Sequence, residues 1–120
     1  MAGSVNKVIL IGNLGADPEV RTTQNGGKVV NLRLATSENW KDRASGERKE
    51  RTEWHYVQIF NDALGKIAEQ YVKKGDRLCV EGQIQSRKYQ DKDGHERTAY
   101  EIALPRFGGF LELLGSKDDT

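Results

Sequence analysis

The chain has 120 residues, of which 36% are apolar and 31% charged, with 13 Gly and 2 Pro. This length allows one domain with a modest core and excludes a large multidomain enzyme. The composition is typical of a folded chain rather than a disordered one. The formal net charge of +1 does not by itself indicate a polyanionic partner, so any basic surface must arise from segregation of charges in space.

The apolar runs and the cysteine bear on the cellular compartment. The longest unbroken apolar run, Val8 to Ile11, is far too short to span a membrane, and the N-terminus lacks the pattern of a signal peptide. Cys79 has no second cysteine with which to form a disulfide or a zinc site. We therefore expect a cytoplasmic protein.

The first two predicted strands are separated by a turn. Residues 5–14 form the first strand. Gly12 within it and Gly15 directly after it allow the sharp bends of a small barrel. Asn25-Gly26-Gly27 is a turn signal. From Val30 to Leu34, apolar and polar residues alternate, which predicts a half-buried second strand.

A third strand is predicted after a polar, charged segment. Residues 41–51 carry both signs of charge around Ser45-Gly46, and we interpret them as a long hairpin loop. The strand spans residues 53–60 and has two contrasting faces. One face supplies the core and consists of His55, Val57 and Ile59. The other face carries most of the aromatic rings and consists of Trp54, Tyr56, Gln58 and Phe60.

One helix and two further strands complete the prediction. The helix is capped by Asn61 or Asp62 and its apolar residues recur at helical spacing: Leu64, Ile67, Ala68, Tyr71 and Val72. The fourth and fifth strands, 77–89 and 97–104, turn at Asp93-Gly94. Their predicted core residues are Leu78, Val80, Ile84, Tyr100, Ile102 and Leu104.

This element order predicts the fold class. Five strands, with one helix between the third and the fourth, are typical of a five-stranded OB-fold barrel, an all-β architecture with a single helix. The apolar segment 107–114 is left over once such a barrel closes.

No sequence pattern indicates catalysis, a metal site or a cofactor. The segment from Asp91 to Gly94 begins like a calcium loop but lacks the glutamate at the twelfth position. His55 and His95 have no further ligand at metal-binding spacing. We therefore expect a protein that is not an enzyme.

The positions of the aromatic residues indicate a binding surface. Strict alternation sends Trp54 and Phe60 away from the core, and Tyr89 lies on the outer face of the fourth strand. Rings beside lysine and arginine can stack unpaired bases while the cations neutralise phosphates. Because a duplex hides its base faces, this arrangement favours single strands. Trp40 has the phase of the core residues, so its exposure requires a bulge or strong curvature after Thr36.

Several short motifs, in this order, resemble those of the bacterial single-stranded DNA-binding proteins. The motifs are Val5-Asn6-Lys7-Val8-Ile9-Leu10, Gly12-Asn13-Leu14-Gly15 with Asp17-Pro18-Glu19, Asn25-Gly26-Gly27, Leu34-Ala35-Thr36-Ser37-Glu38, Thr52-Glu53-Trp54-His55 and Lys73-Lys74-Gly75-Asp76. The resemblance implies an OB-fold subunit of a homotetramer, around which single-stranded DNA wraps during replication, recombination and repair.

The resemblance also implies roles for particular residues. Trp40, Trp54 and Phe60 match the family's base-stacking positions, and Tyr89 stands where well-studied members have tryptophan. Three further positions match basic residues on the DNA path: Arg43, Lys74 and Lys88. His55 matches a histidine implicated in subunit assembly.

The same resemblance predicts the domain limits. Residues 1–114 are expected to form the DNA-binding and oligomerisation domain, and residues 115–120 to begin a C-terminal tail. Family members recruit replication and repair proteins through a docking peptide at the end of that tail, and this sequence lacks the peptide.

Other functions stay open on the sequence alone. Each ring could be partly buried, and the charged hairpin could be no more than a solvated surface. The domain could be an oligomerising adaptor, like the primosomal relatives of this family, in which the rings contact proteins. An OB-fold nuclease would need a carboxylate cluster, which the sequence does not offer. Self-association has independent support from apolar residues beyond the needs of a small barrel: Phe107, Phe110, Leu111, Leu113 and Leu114.

Overall fold

The computed structural model describes residues 3–115, in which seven strands and one helix are present. The strands are β1 (Val8–Leu14), β2 (Glu19–Thr22), β3 (Lys28–Lys41), β4 (Arg48–Ile59), β5 (Arg77–Gln90), β6 (Glu96–Leu104) and β7 (Phe110–Gly115), and the helix is α1 (Asp62–Tyr71). No helix within this part of the chain is long and apolar enough to cross a membrane. Residues 116–120, most of the predicted tail, lie outside the described residues.

Five of the strands close into a ring. They are hydrogen-bonded in the order β1-β3-β4-β6-β5, and β5 pairs with β1 to complete the circle. All these pairings are antiparallel except the short parallel pairing of β4 with β6 at Val57–Ile59. The predicted all-β barrel, with its helix between the third and fourth strands of the ring, is therefore confirmed.

The two remaining strands lie at the margins of this ring. β2 pairs with β3, and β7 pairs with β5. β2 was not predicted because its four residues are all exposed and show no apolar alternation. β7 accounts for most of the apolar segment that the five-stranded prediction left over.

The core lies inside the ring and consists of aliphatic side chains. Its buried members are Leu14, Val30, Leu32, Leu34, Val57, Ile59, Ala68, Val72, Leu78, Val80, Ile102 and Leu104. Gly12 allows the strands to approach closely around this core, because a Cβ there would collide with the Ala35 carbonyl of β3. A Cβ at Gly82 would likewise collide with the Ala103 carbonyl of β6.

The helix packs against the barrel, and only a narrow face of the helix is buried. Asn61, one of the two predicted candidates, is the N-cap, and its Oδ1 accepts a hydrogen bond from the Leu64 backbone N–H at 3.1 Å. The buried face is centred on Gly65 and Ala68. Ile67 is 42% exposed and Tyr71 is also exposed, so the prediction of a five-residue apolar face was too wide.

Two hairpins extend beyond the ring as arms. The β3–β4 ladder continues to the pair Lys41 and Arg48, so the predicted long loop at 41–51 was wrong and only residues 42–47 form the turn. Charged side chains exposed on both faces of this arm hid the strand periodicity.

Two residues of the β5–β6 arm were predicted to be core residues but are exposed. Ile84 is 47% exposed and Tyr100 is 68% exposed, whereas both were expected to be buried. Their side chains have the same phase as the core residues, but here the ladder has passed the end of the barrel. Ile84 follows Gly82, the last β5 residue paired with β1, and Tyr100 precedes Ile102, the first β6 residue paired with β4.

Candidate nucleic-acid interface

Trp54 lies on the outer face of β4 with 47% of its surface exposed, as the alternation predicted. Its six-membered ring packs against Gly15, where a Cβ would collide with ring atoms Cζ3 and Cη2. The guanidinium carbon of Arg33 is 4.9 Å from the ring centroid. The indole is therefore held by a glycine and a cation while much of it stays accessible to water.

Arg33 connects Trp54 to a second exposed ring. It pairs with Tyr56 across the β3–β4 ladder, and its guanidinium carbon is 5.8 Å from the tyrosine centroid. Tyr56 is 54% exposed. Within residues 3–115, Arg33 forms no ion pair with a carboxylate. Neither residue was among the predicted site residues, although the alternation put Tyr56 on the same face of its strand as Trp54.

Trp40 is exposed although it has the phase of the core residues. It lies on the β3–β4 arm opposite Lys49, in a ladder whose register is regular from Val30 to Lys41. The ring is 44% exposed because the arm extends beyond the barrel, and the ladder has no bulge after Thr36, one of the two causes that the sequence suggested. By strand parity Trp40 lies on the face of the ladder opposite Trp54.

Phe60 and His55 flank the part of β4 that contributes Val57 and Ile59 to the core. Phe60 follows the strand, is partly exposed, and its backbone N–H donates to the Leu104 carbonyl at 2.9 Å. His55 has the inward phase, is half-buried, and its Nε2 is 2.9 Å from the Thr36 hydroxyl. It therefore faces away from Trp54, as predicted.

Tyr89 lies on the outer face of the β5–β6 arm and is exposed. The guanidinium carbon of Arg87 is 5.6 Å from its centroid. Arg87 also donates from Nε to Oε1 of the buried Glu101 at 2.7 Å. This charged hydrogen bond fixes the arginine beside the ring.

A cavity of about 390 Å³ joins the outer face of the barrel to this arm. Arg33 and Tyr56 line it from the barrel, and Arg87 and Tyr89 line it from the arm. The structure thus brings together rings from β4 and β5 that are far apart in sequence. Phe60 and Trp40 do not line this cavity.

The predicted phosphate-binding cations occupy three separate places. Arg43 lies in the turn of the β3–β4 arm and Lys74 in the loop before β5, and neither forms an ion pair among the residues that the structure describes. The Lys74 backbone N–H donates to Asp17 Oδ1 at 2.8 Å. Lys88 is engaged with Glu96, its Nζ lying 3.5 Å from Oε1, and has the opposite phase from Tyr89.

At the tip of each arm, an aspartate carboxylate accepts hydrogen bonds from other residues of the turn. The Ser45 hydroxyl, 2.8 Å from Asp42 Oδ2, lowers the pKa of Asp42. The Arg97 guanidinium, 2.9 Å from Asp91 Oδ2, lowers the pKa of Asp91. Asp91 also lies within 4.8 Å of ligand atoms on Asp93 and His95, but its oxygens are already engaged by Arg97 and backbone N–H groups.

Comparison with known proteins adds independent evidence. The sequence profile described as "Single-strand binding protein family" matches residues 5–108. A single-stranded DNA-binding protein of Rhizobium meliloti (strain 1021) is 59% identical over 117 residues, which cover 98% of this chain and 67% of that protein. One from Rickettsia felis is 56% identical over 120 residues, covering 100% of this chain and 79% of that protein.

A solved structure agrees with these sequence relatives. The structure titled "Plasmodium falciparum SSB complex with ssDNA" superposes with a TM-score of 0.85 at 32% sequence identity, covering 95% of this chain and 98% of that one. The chain therefore belongs to the single-strand binding protein family.

Proposed function

We propose that the chain binds single-stranded DNA without sequence preference, by stacking bases on exposed rings and neutralising phosphates with lysine and arginine. The observation that carries this proposal is Trp54, an indole 47% exposed on the barrel with the Arg33 guanidinium carbon 4.9 Å from its centroid. The family membership and the single-strand complex of a structural relative support it.

The physical chemistry of this surface favours unpaired strands. Every base has a π-face, so a stacked ring contributes about 1–3 kcal/mol per base with little discrimination between sequences. In a duplex those faces are occupied by neighbouring base pairs. The predicted stacking set is Trp40, Trp54, Phe60 and Tyr89, with Arg43, Lys74 and Lys88 as the predicted phosphate contacts.

The biological role follows from this binding mode. Proteins named as single-stranded DNA-binding proteins share more than half of this sequence. We therefore propose that the chain coats and protects single strands during DNA replication, recombination and repair, in the cytoplasm, and that it performs no catalytic step itself.

We also propose that the chain acts as a homotetramer. Exposed apolar side chains of β1 and β7 support this assembly: Ile9, Ile11, Phe110, Leu113 and Leu114. Exposed apolar patches of this kind usually mark an interface. His55 is the proposed interface residue on β4. Light scattering should give four times the mass of one chain, whereas the mass of a single chain would contradict the assembly.

Intrinsic fluorescence tests the binding proposal because the chain has 2 Trp, both exposed. Titration with a thymidine oligomer should quench the emission strongly, since bases stack on the indoles. An adaptor that uses its rings for protein contacts would show no response to the oligomer. Recovery of the oligomer intact after incubation with Mg²⁺ would separate binding from nuclease activity.

A further inference from the structure

We propose that the loop between β6 and β7 extends the DNA contact surface beyond Phe60, with a base stacked on Phe107 and a phosphate paired with Arg106. This inference rests on the proposed function, because it assumes that single-stranded DNA reaches Phe60. It adds two contact residues, and one positioning residue, Asn61, to the predicted set.

The three phenylalanines of the chain all lie outside the core. The core consists of aliphatic side chains, whereas Phe60, Phe107 and Phe110 are exposed. Phe107 is the extreme case, with 93% of its surface accessible. A ring so open to water stabilises the fold very little through burial, and its faces are available for stacking.

Two hydrogen bonds join this loop to the end of β4. The Phe60 backbone N–H donates to the Leu104 carbonyl at 2.9 Å, and Asn61 Nδ2 donates to the Gly108 carbonyl at 2.8 Å. Asn61 and Gly108 each directly follow a phenylalanine in the sequence, so the two rings are carried on adjoining segments of the surface. A strand that stacks on Phe60 can therefore continue to Phe107.

The backbone of the loop is also constrained within itself. Gly109 has a φ of +84°, and a Cβ there would lie 3.0 Å from Leu104 Cβ, so the chain turns back tightly against the end of β6. A Cβ at Gly108 would lie 3.3 Å from Pro105 Cγ. The backbone that carries Phe107 therefore loses little conformational freedom when a base stacks on the ring, which favours binding.

Arg106 gives the loop a positive charge beside the ring. It is exposed, directly precedes Phe107, and forms no ion pair with a carboxylate among residues 3–115. An arginine next to an exposed ring can contact a phosphate and a base of the same strand. A second copy of the chain would have to supply a carboxylate for this arginine, whereas DNA offers a phosphate at every nucleotide. The charge therefore favours DNA over the self-association that the sequence suggested for Phe107.

Substitution of Phe107 in the full chain tests the stacking contact. Phe107→Ser should weaken binding of a long fluorescein-labelled thymidine oligomer by about 5- to 150-fold, the effect of losing one stacked base. Phe107→Tyr keeps a ring and should bind within about twofold of the unsubstituted chain. Tyr71→Leu removes an exposed tyrosine on α1, outside the proposed contacts, and should leave the affinity unchanged. Full affinity in Phe107→Ser would overturn the stacking contact.

An indole placed on the loop distinguishes DNA from a protein partner. The chain has 2 Trp, so the variant Trp40→Phe/Trp54→Phe/Phe107→Trp carries its single indole at position 107. The thymidine oligomer should quench the emission of this indole, because a base stacks on it. Emission that is already blue-shifted without DNA and does not respond to the oligomer would assign the ring to a subunit contact and overturn the proposal.

Arg106→Gln tests the phosphate contact separately. It should reduce the slope of log affinity against log salt by about 0.7, the contribution of one phosphate on a single strand. An unchanged slope would overturn the assignment of Arg106.

Asn61→Ser tests the positioning role. Serine caps a helix as well as asparagine does, but its side chain is too short to reach the Gly108 carbonyl. Asn61→Ser should weaken binding by less than Phe107→Ser. The double variant Asn61→Ser/Phe107→Ser should bind like Phe107→Ser alone, because the asparagine acts through the ring. Additive losses would overturn the positioning role.

Photocrosslinking of the unsubstituted chain gives a readout that does not depend on the folding of any variant. An oligomer containing 5-iododeoxyuridine should crosslink to Phe107, as identified by tandem mass spectrometry of the tryptic peptides. No crosslink at Phe107, together with full affinity in Phe107→Ser and reduced affinity in Trp54→Ala, would reject this contact while the proposed function stands. Failure of the unsubstituted chain to bind the oligomer at all would reject both.

Discussion

Gly15 packs directly beneath the indole of Trp54, so closely that a Cβ at position 15 would collide with the ring. The segment after β1 thus forms the support of an exposed ring on β4. This contact explains why a large apolar side chain can be held in one place on a surface that is otherwise open to water.

The packing of Gly15 against the indole can be disturbed by a single methyl group. Gly15→Ala should displace the indole and weaken binding to a thymidine oligomer, because the new methyl group and the ring cannot occupy the same space. Gly3→Ala is the matched control, since a Cβ at Gly3 meets nothing within 4 Å. Fluorescence anisotropy with labelled DNA measures both. Equal affinity of the two variants would show that the position of the indole does not matter.

Replacement of Trp54 itself should have a larger and simpler effect. Trp54→Ala is expected to cost about 1–3 kcal/mol of binding free energy, and Trp54→Phe distinctly less, because phenylalanine retains a stacking face. The melting temperature should change little, since the ring is 47% exposed. Loss of the folded state in Trp54→Ala would mean that the ring belongs to the core.

A pair of isoleucines tests the division between core and surface. Ile59 is 1% exposed inside the barrel, whereas Ile67 is 42% exposed on α1. Ile59→Ala should lower the free energy of unfolding by about 2–5 kcal/mol. Ile67→Ala should change it by no more than about 0.5 kcal/mol. Chemical denaturation measures both values, and similar losses in the two variants would contradict the described burial.

Lys74 tests the electrostatic part of the binding. Lys74→Gln should weaken binding at low salt and reduce the slope of log affinity against log salt by about 0.7. Lys66→Gln is the control, because Lys66 lies on α1, is not among the predicted DNA contacts, and has its Nζ 3.8 Å from Asp62 Oδ2. Parallel salt slopes in the two variants would remove Lys74 from the DNA path.

Alternation along the strands was sufficient to predict which side chains share a face. It placed Trp54 opposite Val57, and the structure has the first exposed and the second fully buried. It failed at Ile84 and Tyr100 because alternation defines a face but not whether another strand covers it. Where the barrel ends along each arm depends on the pairings of β1 with β3 and β5 and of β4 with β6, which join segments distant in sequence.

The cavity could not have been predicted in the same way. The contact of Arg33 with Tyr56 depends on the register of β3 against β4, and the approach of Tyr89 depends on the direction of the β5–β6 arm. Neither has a local signal in the sequence. One signal was available, since Arg33 stands between Leu32 and Leu34 and must therefore point outward.

Competition between two DNA forms tests the central claim most directly. A labelled thymidine oligomer bound to the full chain is challenged with an unlabelled single strand or with a duplex of the same length and salt concentration. The single strand should displace the label at far lower concentration, because only unpaired bases can stack on Trp54 and its neighbouring rings. Displacement by the duplex at an equal or lower concentration would contradict base stacking as the basis of binding.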